Sequence, residues 1–232
     1  MKILIPTYAQ HRIVGLLVGA ILVVRLFIHF ALYHAGFISL TADEFGRTIV
    51  AAEWVKHPTW EWKGAWLPFH RPLIGLFLKL HWELLWTPRI VTIIFGLLSI
   101  VFMFLLTKKL FDSYVVGLIS AGLLSVNPLH VWLSSVPLTE MVSLTLVLIG
   151  VWAFVGYMID AKAKYLLVAG IMLGFASGFR IESWFFSAIL SLFLLINNIV
   201  IGKFTNRYVF LFMSSSWFFS TCVDCWKLLD HW

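Results

Sequence analysis

Four carboxylates and one guanidinium are the groups in this sequence best placed to do chemistry: Asp43 and Glu44 side by side, Glu140 after Thr139, and Arg180 two places before Glu182. Carboxylates exchange protons with reacting hydroxyls, and a guanidinium holds anionic oxygens through its forked donors. All five lie at the edges of long apolar runs, where charge is costly, and such residues are default site candidates in a membrane protein. Each also has a plainer reading. Glu44 closes a helix-capping box, Asp43 favours a helix dipole or pairs with Arg47 one turn on, and Glu140 follows Pro137 at a helix start. Arg180 and Glu182 flank a break between two runs, from which an arginine snorkels to the headgroups; snorkelling also accounts for Arg25 inside the first run.

Other chemistries leave no trace. His57, His70 and His81 lack the H-x3-H or H-E-x-x-H spacing of a preformed metal site and read as surface or interface histidines. There is no G-x-x-x-x-G-K-[ST], no G-x-S-x-G and no Ser/His/Asp grouping, which argues against a nucleotide-driven pump or a serine hydrolase. Cys222 and Cys225 are too few for a disulfide framework and read as structural or incidental thiols.

The elements that position these residues are membrane helices. Of 232 residues 61% are hydrophobic and 12% charged, against a usual ~25% charged for soluble proteins. An ordinary soluble domain and a disordered chain are both excluded. Apolar runs at about 13–32, 90–106, 115–133, 138–159, 165–179, 184–201 and 208–223 predict an all-α polytopic protein with about seven transmembrane helices. The first run reads as an uncleaved anchor and the short fifth as a broken helix. With the N-terminus cytoplasmic, Lys2 and Arg12, Lys108 and Lys109, Lys162 and Lys164, and Lys203 and Arg207 all fall inside, the positive-inside pattern repeated four times. The net charge of +6 therefore reports topology and does not suggest nucleic acid. No internal repeat or linker divides residues 1–232, which read as one membrane domain.

Residues 33–89 form a long first extracytoplasmic loop with structure of its own. Thr41-Ala42-Asp43-Glu44 is a capping box, predicting a helix from Ala42 to about Lys56. Leu73, Leu76, Phe77, Leu80 and Leu84 recur at helical spacing opposite Arg71, Gly75, Lys79 and Glu83, predicting an amphipathic helix in the membrane interface. The tryptophans at 54, 60, 62, 66, 82 and 86 suit the same boundary.

In order and spacing these segments resemble the polytopic glycosyltransferases of the GT-C superfamily. Ala42-Asp43-Glu44-Phe45 with Ala51-Ala52-Glu53-Trp54 is similar to the acidic first-loop motif of protein O-mannosyltransferases and lipid A aminoarabinose transferases. The likeness continues through Phe69-His70-Arg71-Pro72-Leu73, Pro88-Arg89-Ile90-Val91, Thr107-Lys108-Lys109-Leu110-Phe111, Asn127-Pro128-Leu129-His130 and the stretch from Gly174 to Trp184. Thr59-Trp60-Glu61-Trp62 resembles another GT-C branch, the lipid-linked-oligosaccharide and GPI mannosyltransferases.

The resemblance implies transfer of mannose or another hexose, with inversion, from a polyprenyl-phosphate carrier to a hydroxyl of a protein, lipid or glycan acceptor outside the cytoplasm. Asp43 is the implied base, and Glu44 orients the acceptor or helps hold a divalent ion in branches that use one. There is no Asp-x-Asp, so the metal remains open and no other cofactor is implied. Arg180, Arg71 and Lys63 are the candidates for the lipid phosphate, with Arg180 preferred because it follows the short fifth run where a cavity would open, and Glu140 and Glu182 are further site candidates. The implied membrane is the plasma membrane in a prokaryote and the endoplasmic reticulum in a eukaryote. GT-C enzymes usually continue with more helices than end at Trp232, so a fragment, or a partner chain completing the site, is also expected. The alternative reading is a non-catalytic membrane subunit or lipid-binding protein of the same fold. A transporter is weaker, since intramembrane charge is sparse and no inverted repeat is visible.

Overall fold

The computed structural model describes residues 7–59, 66–201 and 212–213. Among them the chain is helical throughout: α1 (Thr7–His34), α2 (Ala42–Lys56), α3 (His70–Leu80), α4 (Trp86–Phe111), α5 (Tyr114–Val126), α6 (Pro128–Ser135), α7 (Thr139–Asp160), α8 (Ala163–Ser177) and α9 (Glu182–Ile201). Three helices, α1, α4 and α7, are long and apolar enough to cross a bilayer. A fourth crossing arises if α5 and α6 are one broken span. At a rise of about 1.5 Å per residue, α8 with its 15 residues reaches only ~22 Å of a ~30 Å hydrocarbon layer. Lys63, and the expected run at 208–223 apart from residues 212–213, lie outside the described residues.

The expected continuous helix at 115–133 is corrected. The chain bends by 63° between α5 and α6, because Pro128 cannot donate to the preceding turn and pushes Asn127 into extended backbone. Asn127 then caps the new helix, its side chain accepting from the His130 N–H at 3.0 Å.

With lipid outside, apolar side chains need not turn inward, and large ones such as Leu16, Phe27, Phe30, Leu123 and Phe185 are exposed along the helices. Packing between helices then depends on close approach rather than on expulsion of water. On α4, a Cβ added at Gly96 would come within 2.6 Å of Ser134 Cβ, so glycine is what lets α6 lie against α4. The largest core joins α7, α8 and α9 through Phe154, Tyr157, Leu166, Leu173 and Leu194. A second joins α2, α3 and α4 through Ala51, Ile74, Leu78 and Val91.

The helix expected from Ala42 to Lys56 is present with those limits, but its cap differs from the expected box. Thr41 makes no side-chain cap bond; instead the Leu40 N–H donates to the Glu44 carboxylate at 3.2 Å. The amphipathic helix of the first loop is α3, and it is turned in an informative way. Leu76, Phe77 and Leu80 are exposed while Arg71, Ile74, Gly75 and Leu78 are buried. The outer part of its apolar stripe is thus free to meet lipid, while Arg71 and Gly75 of the polar stripe pack on protein and Lys79 stays exposed. His70, expected at a surface, is buried.

Candidate functional site

Arg47, Trp66, Thr139, Phe179, Arg180 and Glu182 line an open cleft of about 140 Å³. Four parts of the chain converge here: α2, the segment before α3, the first turn of α7 and the connection between α8 and α9. Gly178 allows the last of these to close up. The Phe69 ring lies where a Cβ at Gly178 would stand, and the Phe69 N–H donates to the Gly178 carbonyl at 3.3 Å.

Arg180 is held from two sides. Its Nη1 donates to Glu140 Oε1, and its Nη2 and Nε donate to the two oxygens of Glu182 at 2.6 and 3.0 Å. The Glu182 hydrogen bond, followed by the charges of Glu140 and Glu182, holds the guanidinium above its ordinary range against the opposing effect of burial. One cation between two carboxylates has no net positive charge to offer an incoming anion.

Arg47 is the other cation of the cleft. It is buried, stacks over the Trp66 ring at 5.0 Å to the centroid, and its Nε finds no hydrogen-bond partner. Burial lowers its pKa first; Glu140 and Asp43 raise it and Arg180 lowers it, which sets all four charges within electrostatic reach of one another. Asp43, one turn before Arg47, is exposed in the first turn of α2.

The structure therefore brings Glu140, Arg180 and Glu182 together, with Asp43 and Arg47 beside them. It turns Glu44 away from the cleft. Glu44 is only 1% exposed and turns the other way, accepting from Leu40 N–H at 3.2 Å, Thr41 Oγ1 at 3.4 Å and Trp132 Nε1 at 3.3 Å. Arg71 is buried on α3 beside His70. Among the described residues no three His, Cys, Asp or Glu side chains gather as a cation site.

Between α1, α5 and α6 lies a polar network that the sequence reading missed. Arg25, expected to snorkel, is fully buried. Its Nη1 donates to the Ser125 carbonyl at 2.7 Å, and its Nη2 to the His130 carbonyl at 2.7 Å and to Ser134 Oγ. The break at Pro128 frees carbonyls inside a low-dielectric layer, and a guanidinium satisfies them better there than headgroups would reward it at the surface. His29 Nδ1 lies 3.0 Å from Ser135 Oγ, and Tyr33 donates to the Ser135 carbonyl at 2.6 Å. Arg25, His29 and Tyr33 stand four residues apart on one face of α1. That spacing, and the Asn-Pro pair that marks the break between α5 and α6, were the available signals.

Arg12 is exposed near the start of α1, and at that end of the bundle, away from the cleft, basic residues meet aromatic rings. Lys108 Nζ sits 4.3 Å over Tyr114, and Lys109 Nζ 4.9 Å over Trp152 and 4.7 Å over Tyr165.

Residues 56–223 match the family model described as dolichyl-phosphate-mannose-protein mannosyltransferase. The matched stretch holds the cleft residues from Trp66 to Glu182 and begins at Lys56, the last residue of α2, leaving Asp43 and Arg47 outside it. No curated protein matches the chain.

Proposed function

The chain belongs to the dolichyl-phosphate-mannose-protein mannosyltransferase family, a family of GT-C membrane glycosyltransferases, and from that premise we propose that it moves a hexose, mannose first among the choices, from polyprenyl phosphate to a hydroxyl on a protein, lipid or glycan. Its helices make it an integral membrane protein. The observation that carries the reading is the pairing on α2 of an exposed carboxylate, Asp43, with a buried arginine one turn on that faces the cleft.

In this mechanism Asp43 accepts the proton of the acceptor hydroxyl as its oxygen attacks the anomeric carbon. The bond from that carbon to the phosphate oxygen breaks on the opposite face, so the configuration inverts and polyprenyl phosphate leaves with the bonding pair. Arg47 holds the charge that develops on the phosphate, using planar donors kept in place by Trp66. Arg71 and Lys63 remain secondary candidates for the same anion. Arg180, balanced by Glu140 and Glu182, shapes the cleft wall.

We also propose that the cleft faces away from the cytoplasm. Arg12, Lys108, Lys109, Lys162 and Lys164 fall at the other end of the helices, as the positive-inside rule expects of a cytoplasmic face. The remaining apolar runs, α8, α9 and 208–223, complete about seven crossings in this arrangement.

The test is reconstitution of the chain in liposomes with radiolabelled polyprenyl-phosphate mannose and a serine- and threonine-containing peptide. Label in the peptide that disappears with Asp43→Asn supports the reading; undiminished transfer by that variant sinks Asp43 as base. Impermeant thiol reagents should reach cysteines placed at Asp43 and Arg180 from outside and should miss one at Lys108.

A further inference from the structure

Glu44 sits beside the implied base, yet its surroundings are those of an anchor. It is almost wholly buried, and its oxygens are occupied by the Leu40 N–H, the Thr41 hydroxyl and the indole N–H of Trp132. Trp132 belongs to α6, the short helix beyond the Pro128 break. That helix is gripped in turn by α1: Arg25 donates to the His130 carbonyl and to Ser134, and Tyr33 to the Ser135 carbonyl at its last turn. From the other flank His130 Nε2 lies 2.8 Å from Ser99 Oγ on α4. The connection leading into α2 is tied down as well, since Arg89 Nη2 donates to the Ile38 carbonyl at 2.5 Å.

We propose that Glu44 is a positioning residue: it fastens the first turn of α2 to α6 through Trp132, and Arg25 fixes α6, so that this relay sets where Asp43 and Arg47 meet the substrate. The proposal rests on the transferase reading above and assigns Glu44 no contact with acceptor or metal. A short helix held by buried guanidinium bonds at one end can hold a surface helix to a fraction of an ångström, and misplacement of a reacting group by about 1 Å costs on the order of a hundredfold in rate. Thr41 supplies no side-chain cap to this turn, which leaves the carboxylate of Glu44 to take up the Leu40 N–H.

The variants separate an anchor from a reacting group. Gln at 44 retains an oxygen that accepts from Leu40 and Trp132, whereas Ala does not. Glu44→Gln should keep transfer within roughly threefold of the parent, while Glu44→Ala and Trp132→Phe each lower kcat by roughly tenfold or more with donor KM changed less than twofold. The double variant Glu44→Ala with Trp132→Phe should be no slower than the worse single one, since both cut the same link. Loss of transfer in Glu44→Gln equal to that in Asp43→Asn would overturn the proposal, as would full activity of Trp132→Phe.

A second readout needs no turnover. With Cys222 and Cys225 replaced by Ser, a cysteine at Ala42 should react with an impermeant maleimide several-fold faster in the Glu44→Ala and Trp132→Phe backgrounds than in Glu44→Gln. Equal rates in all three would overturn the relay. If the parent chain transfers no sugar at all, the transferase reading fails, and the labelling rates still decide the relay.

Discussion

Arg180 donates to Glu140 across forty residues of sequence, fastening the connection between α8 and α9 to the first turn of α7. Its second partner, Glu182, is two residues away and adds no tertiary link. Glu140→Ala should therefore cost more stability than Glu182→Ala, about 1 kcal/mol, because side chains exposed by 29% and 28% are partly screened by water. Thermal unfolding of the two variants in detergent checks the order. Equal losses would mean that the ion pair fixes nothing beyond its own loop.

Asp43→Asn makes a cleaner functional test than most substitutions in this region. Asp43 is exposed, so removal of its charge should leave stability within about 0.5 kcal/mol. Transfer should drop by on the order of a hundred- to ten-thousandfold, the usual contribution of a general base. A variant that unfolds and loses activity together would point to a structural role for the carboxylate.

How much of this was legible in the sequence differs from residue to residue. The start of α2 at Ala42 was legible in the motif from Thr41 to Glu44, although Thr41 makes no cap bond, and the nearness of Glu140, Arg180 and Glu182 followed from placing helix ends on one side. These are local signals or consequences of topology. Arg25 was misjudged because its partners, the Ser125 and His130 carbonyls and the Ser134 hydroxyl, lie about a hundred residues later on the two sides of the Pro128 break, and no local pattern announces such acceptors. Glu44 was read for its motif, while its burial depends on Trp132, eighty-eight residues away. Arg47 was visible only as the i+4 neighbour of Asp43; its place in the cleft depends on a Trp66 that chain folding brings to it.

His70 gives a prediction about pH. It is buried in α3, and burial, then the charge of Arg47, pushes its pKa down to about 3. An unfolded histidine takes up a proton near pH 6.5, so between about pH 6.5 and 3 the unfolded chain binds a proton that the folded one does not. Folded-state stability must then fall as pH drops through this window. His70→Phe should flatten the decline in melting temperature between pH 7.5 and 5. An unchanged slope would mean that His70 is protonated in the folded protein.

Gly178 tests whether the cleft depends on its back wall. Alanine there would drive a methyl into the Phe69 ring, which also packs on Phe175 and Phe179 at 5.9 and 6.0 Å between centroids. Overpacking of this kind costs about 1–3 kcal/mol. The expected result is a lower melting temperature that Phe69→Leu partly restores in the double variant. If Phe69→Leu adds its own loss to that of Gly178→Ala, the two residues are not in the contact described.

Arg47 is where the electrostatics of the cleft lead. Arg180 is balanced by two carboxylates, while Arg47 lines the cleft with an aromatic face behind it, so a leaving phosphate should draw chiefly on Arg47. Lysine keeps the charge but loses the planar fork and the stack on Trp66. Arg47→Lys should therefore raise the donor KM several-fold with a modest fall in kcat. Arg47→Gln, which removes the charge, should lower kcat over KM by roughly a hundredfold, in line with about 1.5–3 kcal/mol for a hydrogen bond to a charged group. Acceptor KM should hold within twofold in both, because the acceptor meets Asp43. The opposite pattern, acceptor KM rising while donor KM stays fixed, would transfer the phosphate contact to Arg71 or Lys63 and place Arg47 on the acceptor side of the cleft.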